Sequence, residues 1–212
     1  MQLIGMLDSP YVRRVAVSLQ LLGLRFSHQP LSVFRTFEQF RAINPVVKAP
    51  TLVCDDGTVL MDSTLILDYA QALAGPARRL LPAGLPQRQQ ALRVVGLALS
   101  ACEKSVQIVY ERVQRPEHKR HEPWMARVTI QLLGAYAALE AELARSPLPA
   151  DRANIDDAGI CTAVAWRFTR EMAGDVVPAG DFPLIAAHAA AAEALPEFLA
   201  AQYGSGTYED AR

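Results

Sequence analysis

Cysteine is scarce: Cys54, Cys102 and Cys161 are widely spaced, odd in number and form no Cys-x-x-C pair. That pattern excludes a disulfide framework and fits a reducing compartment, so a cytoplasmic protein is expected. It also excludes a zinc site built on cysteine pairs, and no metal is expected. No segment offers the roughly twenty apolar residues that a membrane helix needs, so no membrane partner is expected. Residues 1–7 are too short an apolar stretch for a secretory leader, and Ser9-Pro10 breaks the run. Neither sign of charge dominates: 21 Lys and Arg face 22 Asp and Glu, with no basic block. Nucleic acid is therefore excluded as a main partner. What remains is ordinary globular composition, 51% hydrophobic and 20% charged over 212 residues, enough for one large domain or two small ones.

Short apolar runs alternate with helical patterns over the first eighty residues. Residues 2–6 predict a buried strand. Val12, Val15, Ala16, Leu19 and Leu22 then follow helical spacing from Pro10, and Gly23 stands where a helix ends. Residues 25–29 predict a second strand, parallel to the first through a right-handed crossover. Phe34, Phe37 and Phe40 suggest a short amphipathic helix ending near Asn44-Pro45. Residues 51–54 and 58–61 flank Asp55-Asp56-Gly57, a hairpin signal. A helix from Ser63 to about Ala74 is stopped by Gly75-Pro76. The expected order is β-α-β-α-β-β-α.

Pro82, Gly84 and Pro86 mark a linker, beyond which only helices are expected. Leu92, Val95, Leu99, Cys102, Val106, Val109 and Val113 trace one apolar stripe. Met125, Val128, Leu132, Tyr136, Leu139 and Leu143 trace a second, and Ala158, Cys161, Ala165, Phe168 and Met172 a third. Pro196 opens a last short helix, and a loose polar tail is expected from Gly204.

Three places carry candidate chemistry. Ser9-Pro10-Tyr11-Val12 puts a hydroxyl at a helix N-terminus, beside backbone N–H groups and the positive end of the dipole. Lys48-Ala49-Pro50 directly precedes the hairpin. Asp62-Ser63 opens the third helix, where such residues cap well and N–H groups attract anions. Taken singly, each is an ordinary cap or turn. Their order and settings, however, resemble the cytosolic glutathione transferases over nearly the whole chain, most strongly over residues 1–75. Ser9-Pro10-Tyr11-Val12 is similar to the Cys-Pro-Tyr-Cys of thioredoxin and glutaredoxin relatives with both cysteines replaced. Lys48-Ala49-Pro50 resembles the transferases' Lys-Val-Pro or Lys-Ile-Pro, and Asp62-Ser63 their Glu-Ser or Gln-Ser. Asn154-Ile155-Asp156-Asp157 resembles their Ser/Thr-x-x-Asp element, with Asn154 as the cap and Asp157 at the third helical position.

The resemblance implies a thioredoxin-like α/β domain over residues 1–78 and an all-α domain with an electrophile pocket over residues 87–212. It implies glutathione as co-substrate. Ser9 would donate a hydrogen bond to its sulfur, favouring the thiolate of a group whose pKa is otherwise about 8.5. By the same resemblance Pro50 is cis, Ala49 pairs its backbone with the cysteinyl part, and Lys48 reaches a carboxylate. Asp62 would pair with the γ-glutamyl ammonium and Ser63 would donate to the γ-glutamyl carboxylate. The implied reaction is attack of the thiolate on an apolar electrophile, in detoxification, by a homodimer.

Two other readings stay open: a non-catalytic interaction module of this fold, and a glutathione-dependent disulfide-bond reductase. Tyr11 is a second candidate hydroxyl. Tyr110 and Trp166 suit either the electrophile pocket or the helical core. Arg13 and Arg14 are expected on the exposed side of the first helix, where either could help at a dimer seam. His118 and His121, three apart in a charged stretch, read as a solvated loop rather than a metal site.

Overall fold

Fully buried Leu3 and Ile4 set the first strand, β1 (Gln2–Ile4), at an inner position of a four-stranded sheet. The computed structural model describes residues 1–76 and 79–208. β2 (Ser27–Gln29) runs parallel to β1, as a crossover through α1 (Pro10–Leu21) requires. β3 (Thr51–Val53) lies antiparallel on the other side of β1, and β4 (Val59–Met61) pairs with it through the hairpin. Gly57 takes φ +85° in that turn, which side chains resist, and the Asp56 carboxylate accepts the Thr58 N–H at 2.9 Å. α2 (Phe37–Ile43) seats Phe40 against Ile4 and Leu31, and α3 (Ser63–Ala74) follows the hairpin. The element order is the expected one, and the sheet order β2-β1-β3-β4 is thioredoxin-like.

The chain divides into two compact units, one of Met1–Leu80 with the segment from Ala194 onward, the other of Leu81–Glu193. The second unit is helical: α4 (Leu85–Val109), a π-helical turn at Tyr110–Gln114, α5 (Glu122–Arg145), α6 (Asp157–Ala173) and α7 (Pro183–Glu193). No helix among the described residues is long and apolar enough to cross a membrane. Two sequence expectations touch residues outside the described set: the end of the first domain at residue 78, and residues 209–212 of the tail.

Four details differ from the sequence expectations. α4 buries Ala91, Val94, Val95, Ala98, Ala101, Cys102, Ser105 and Ile108, while Leu92 is exposed. Small residues form the seam because α6 packs closely along it, and the Ser105 hydroxyl hydrogen-bonds Thr169 at 2.7 Å. α6 is capped by Asp156, whose carboxylate accepts the Gly159 N–H at 3.0 Å, and not by Asn154, which bonds Asp151 instead.

The other two concern the last segment. Residues 194–208, expected in the helical domain, count with the first unit. α8 (Pro196–Ala200) packs on α1, its Phe198 wholly buried and the Glu197 carbonyl accepting from Gln20 Nε2 at 2.9 Å. Residues 205–208 of the expected loose tail are tied back to the first unit at Tyr208. Tyr208 stacks on Phe26 at 4.5 Å, and its N–H donates to His28 Nδ1 at 2.8 Å. His28 Nε2 lies 2.6 Å from the Gly5 carbonyl. A carbonyl only accepts, so Nε2 carries the proton and Nδ1 is the acceptor: the clasp needs neutral imidazole.

Burial pushes His28 below its usual range, against a smaller upward pull from the Gly5 carbonyl. The folded state thus binds this proton less readily than the unfolded chain. The clasp contributes fully above the ordinary histidine pKa of about 6.5, and its contribution is lost as pH falls from there through the lower folded value. Melting curves at pH 7.5 and 5 should show a larger loss of Tm for the native chain than for His28→Gln. Equal losses would remove His28 as the titrating group.

Candidate functional site

The residues singled out from sequence in the first unit cluster at one end of the sheet, on the loops after β1 and before β3 and at the start of α3. Ser9 is the N-cap of α1, with Pro10 at the first helical position, where a missing N–H costs nothing. Its Oγ accepts the Val12 N–H at 3.4 Å, which leaves the hydroxyl proton to donate to a further group. Ser9 is half-buried. Tyr11 follows inside α1, also half-buried.

Gly5 allows the Ser9 loop to lie close to the loop before β3. Its φ is +135°, and a Cβ there would meet Val12 Cγ2 at 2.6 Å and Ala49 Cβ at 3.2 Å. Beside Ser9, burial raises the Asp8 carboxyl above its usual range, opposed by the nearby Arg35 guanidinium. Arg35 also reaches Met6 Sδ at 3.3 Å, tying the β1–α1 loop to the β2–α2 loop.

The Ala49–Pro50 peptide is cis, and Pro50 is buried. A buried polar network fixes this loop: Asn44, 1% exposed, donates Nδ2 to Thr51 Oγ1 at 2.8 Å, and Thr51 Oγ1 donates to the Lys48 carbonyl at 2.7 Å. The Asn44 side-chain oxygen accepts the Val46 N–H at 3.0 Å. Neither Asn44 nor Thr51 was singled out from sequence, because an Asn-Pro pair reads as a turn whatever its side chain does.

Asp62 is the N-cap of α3 with φ +72°, a sparsely populated conformation for a residue with a side chain. One carboxylate oxygen accepts the Thr64 N–H at 2.9 Å, and the other lies 3.5 Å from Lys48 Nζ. That ion pair is about half exposed on both sides, 52% and 44%, so it holds weakly and is readily exchanged for charges of a ligand. Ser63 is buried, and its Oγ accepts from Arg14 Nη1 at 3.2 Å. Lys48, Asp62 and Ser63 are thus brought together.

Arg13 and Arg14, expected on the exposed side of α1, are each 1% exposed. Arg14 joins the start of α3, and Arg13 donates Nε to the Ala201 carbonyl at 2.7 Å. Trp166 belongs to the core of the helical unit, edge-on to Tyr136 at 5.4 Å and Phe182 at 6.2 Å. The Tyr136 hydroxyl donates to Thr169 at 2.6 Å in the same core, and burial pushes its pKa far up. Tyr110 is about half exposed, at the π-helical turn. His118 and His121 lie exposed on the loop before and at the cap of α5. Among the described residues no group of three His, Cys, Asp or Glu could hold a metal ion.

Residues 3–78 match the family described as glutathione S-transferase, N-terminal domain. YibF of Escherichia coli, an uncharacterized GST-like protein, is 27% identical over 176 residues, 82% of this chain and 85% of that protein. A glutathione transferase family member from Pseudomonas fluorescens, solved with bound S-(propanoic acid)-glutathione, is 30% identical with a TM-score of 0.76. The match covers 95% of this chain and 98% of that one. A glutathione S-transferase from Methylobacterium radiotolerans, in complex with glutathione sulfonate, has a TM-score of 0.84 at 25% identity, over 93% of this chain and 92% of that one. With strand order, helical unit and sequence in agreement over almost its full length, the chain belongs to the glutathione transferase family.

Proposed function

We propose that the protein is a glutathione transferase that uses the Ser9 hydroxyl to hold the glutathione sulfur as a thiolate. The observation that carries this reading is the state of Ser9: its oxygen is occupied by the Val12 N–H at the N-terminus of α1, and its proton is left to donate. A hydrogen bond to a charged group is worth about 1.5–3 kcal/mol, enough to bring a thiol pKa of about 8.5 to near 7. The displaced thiol proton passes to solvent. The sulfur lone pair then forms a C–S bond at an apolar electrophile, whose leaving group departs with the bonding electrons. Placing both reactants in one site supplies the rest of the acceleration.

The remaining residues take the roles the resemblance assigns. Ala49, next to cis Pro50, pairs with the cysteinyl backbone. Lys48 and Asp62 exchange their mutual ion pair for a carboxylate and the γ-glutamyl ammonium, and Ser63 donates to the γ-glutamyl carboxylate. Glutathione derivatives bound in relatives solved from Pseudomonas fluorescens and Methylobacterium radiotolerans support glutathione as the ligand. The three free cysteines, all buried, accord with a cytoplasmic protein acting on reactive electrophiles. Leu65, Tyr69 and Leu73 lie exposed along one face of α3, an apolar stripe that a second copy would cover in a homodimer.

Calorimetry with glutathione, followed by conjugation of a chlorodinitrobenzene electrophile, tests the assignment, and light scattering of the same sample reads the dimer. Micromolar-to-millimolar uptake, measurable conjugation and twice the chain mass are expected. No uptake and no conjugation would end the enzymatic reading, and capture of a macromolecular partner in that case would favour the interaction module.

A further inference from the structure

We infer that Arg14 is a positioning residue for the γ-glutamyl carboxylate of glutathione, acting through the hydroxyls of Ser63 and Thr64. The inference rests on the glutathione reading above and adds a residue that the motifs do not contain. A guanidinium that is 1% exposed is costly to desolvate, and such a group persists where several hydrogen bonds hold it. Arg14 Nη1 lies 3.2 Å from Ser63 Oγ and 3.2 Å from Thr64 Oγ1, the side chains of the first two residues of α3.

Direction is the point of this contact. Arginine donates and never accepts, so both hydroxyl oxygens serve as acceptors toward it. Their own protons are then turned to other acceptors, which converts Ser63 from an ambivalent hydroxyl into a committed donor. The guanidinium charge also adds to the positive end of α3, the place where N–H groups face an anion. Asp62 lies one residue earlier with its carboxylate turned to Lys48 and the Thr64 N–H. Ammonium at Asp62 and carboxylate at Ser63 and Thr64 together fit the zwitterionic head of an α-amino acid. Arg14 supplies the carboxylate half with its sign.

The test compares two peptides by calorimetry: glutathione, and 4-aminobutyryl-Cys-Gly, which keeps the amine and lacks the α-carboxylate. Arg14→Gln should weaken glutathione about 10- to 100-fold and change the analogue by less than about threefold. Arg14→Lys, which keeps the charge but not the planar fork, should fall between the native chain and Arg14→Gln for glutathione alone. If Arg14→Gln fails to give native circular dichroism, the Arg14→Lys comparison decides the question by itself. Equal losses for the two peptides, or no loss for either, would overturn the role of Arg14 and leave the glutathione reading intact. A native chain that takes up neither peptide would sink both.

Discussion

Ser9→Ala should lower kcat/KM for conjugation about 10- to 100-fold at pH 7, the equivalent of one hydrogen bond to a charged sulfur. The loss should shrink as pH rises. Without the donor, the bound thiol ionises nearer its solution value of about 8.5, so the ascending limb of the rate profile moves to higher pH and activity recovers toward pH 9. Glutathione affinity should change little, because the proposed contacts with the peptide lie chiefly at Lys48, Ala49, Asp62 and Ser63 and not at the sulfur. Ser9 also caps α1, so alanine removes a cap worth about 0.5–2 kcal/mol as well. The Val12 N–H bond is long at 3.4 Å, which places that cost at the low end. Ser9→Gly separates the two roles, since glycine at a cap costs only a few tenths of a kcal/mol yet offers no donor. Serine thus acts on the thiol only if alanine and glycine share the same rate loss and the same displaced pH profile. An unmoved profile in both would remove Ser9 from the chemistry.

Much of the fold was legible because its signals are local. The hairpin follows from Asp55-Asp56-Gly57 between two apolar runs, and α3 from a cap at Asp62 and a stop at Gly75. What sequence could not show depended on partners far along the chain. Helical periodicity assigns arginine to solvent by default. Arg13 meets carbonyls of Phe198 and Ala201, and Arg14 meets Ser63, none of them neighbours in sequence. On α4, hydropathy ranks Leu92 above Ala98 and Ser105, but close approach of α6 selects small residues for the seam. At α6, the family-like spacing pointed to Asn154, whereas geometry handed the cap to Asp156, two residues on. The tail from Gly204 looked polar and unattached. Tyr208 finds Phe26 and His28, 180 residues upstream of it in the case of the histidine. For the candidate site, the residue types and their order were legible, while the supports beneath them (Asn44, Thr51 and Arg14) were not. Those are polar groups whose meaning comes only from burial.

Arg13→Ala should destabilise the fold by about 3–5 kcal/mol, the range for breaking a buried, hydrogen-bonded charge. The guanidinium donates Nε to the Ala201 carbonyl at 2.7 Å and Nη2 to the Phe198 carbonyl at 3.4 Å, and lies over the Phe198 ring at 5.5 Å. These carbonyls stand at the C-terminal end of α8, where no intrahelical N–H remains to satisfy them. A cation there also meets the negative end of the short helix. Five residues cannot hold a helix alone, so α8 exists by docking on α1, with Phe198 buried beneath the guanidinium. Removing Arg13 therefore strips two acceptors of their donor and opens a void beside an aromatic ring in one step. For a chain of this length the loss corresponds to a fall in Tm on the order of 10 °C. Arg13→Lys should restore little of it, because a compact ammonium cannot present the planar fork that meets both carbonyls. Hydrogen exchange gives the local reading: amides of residues 198–201 should lose protection before those of β1 and β3. A fall of less than about 2 °C in Tm, with protection at residues 198–201 unchanged, would show that hydrophobic packing of Phe198 alone holds the returning segment to the first unit.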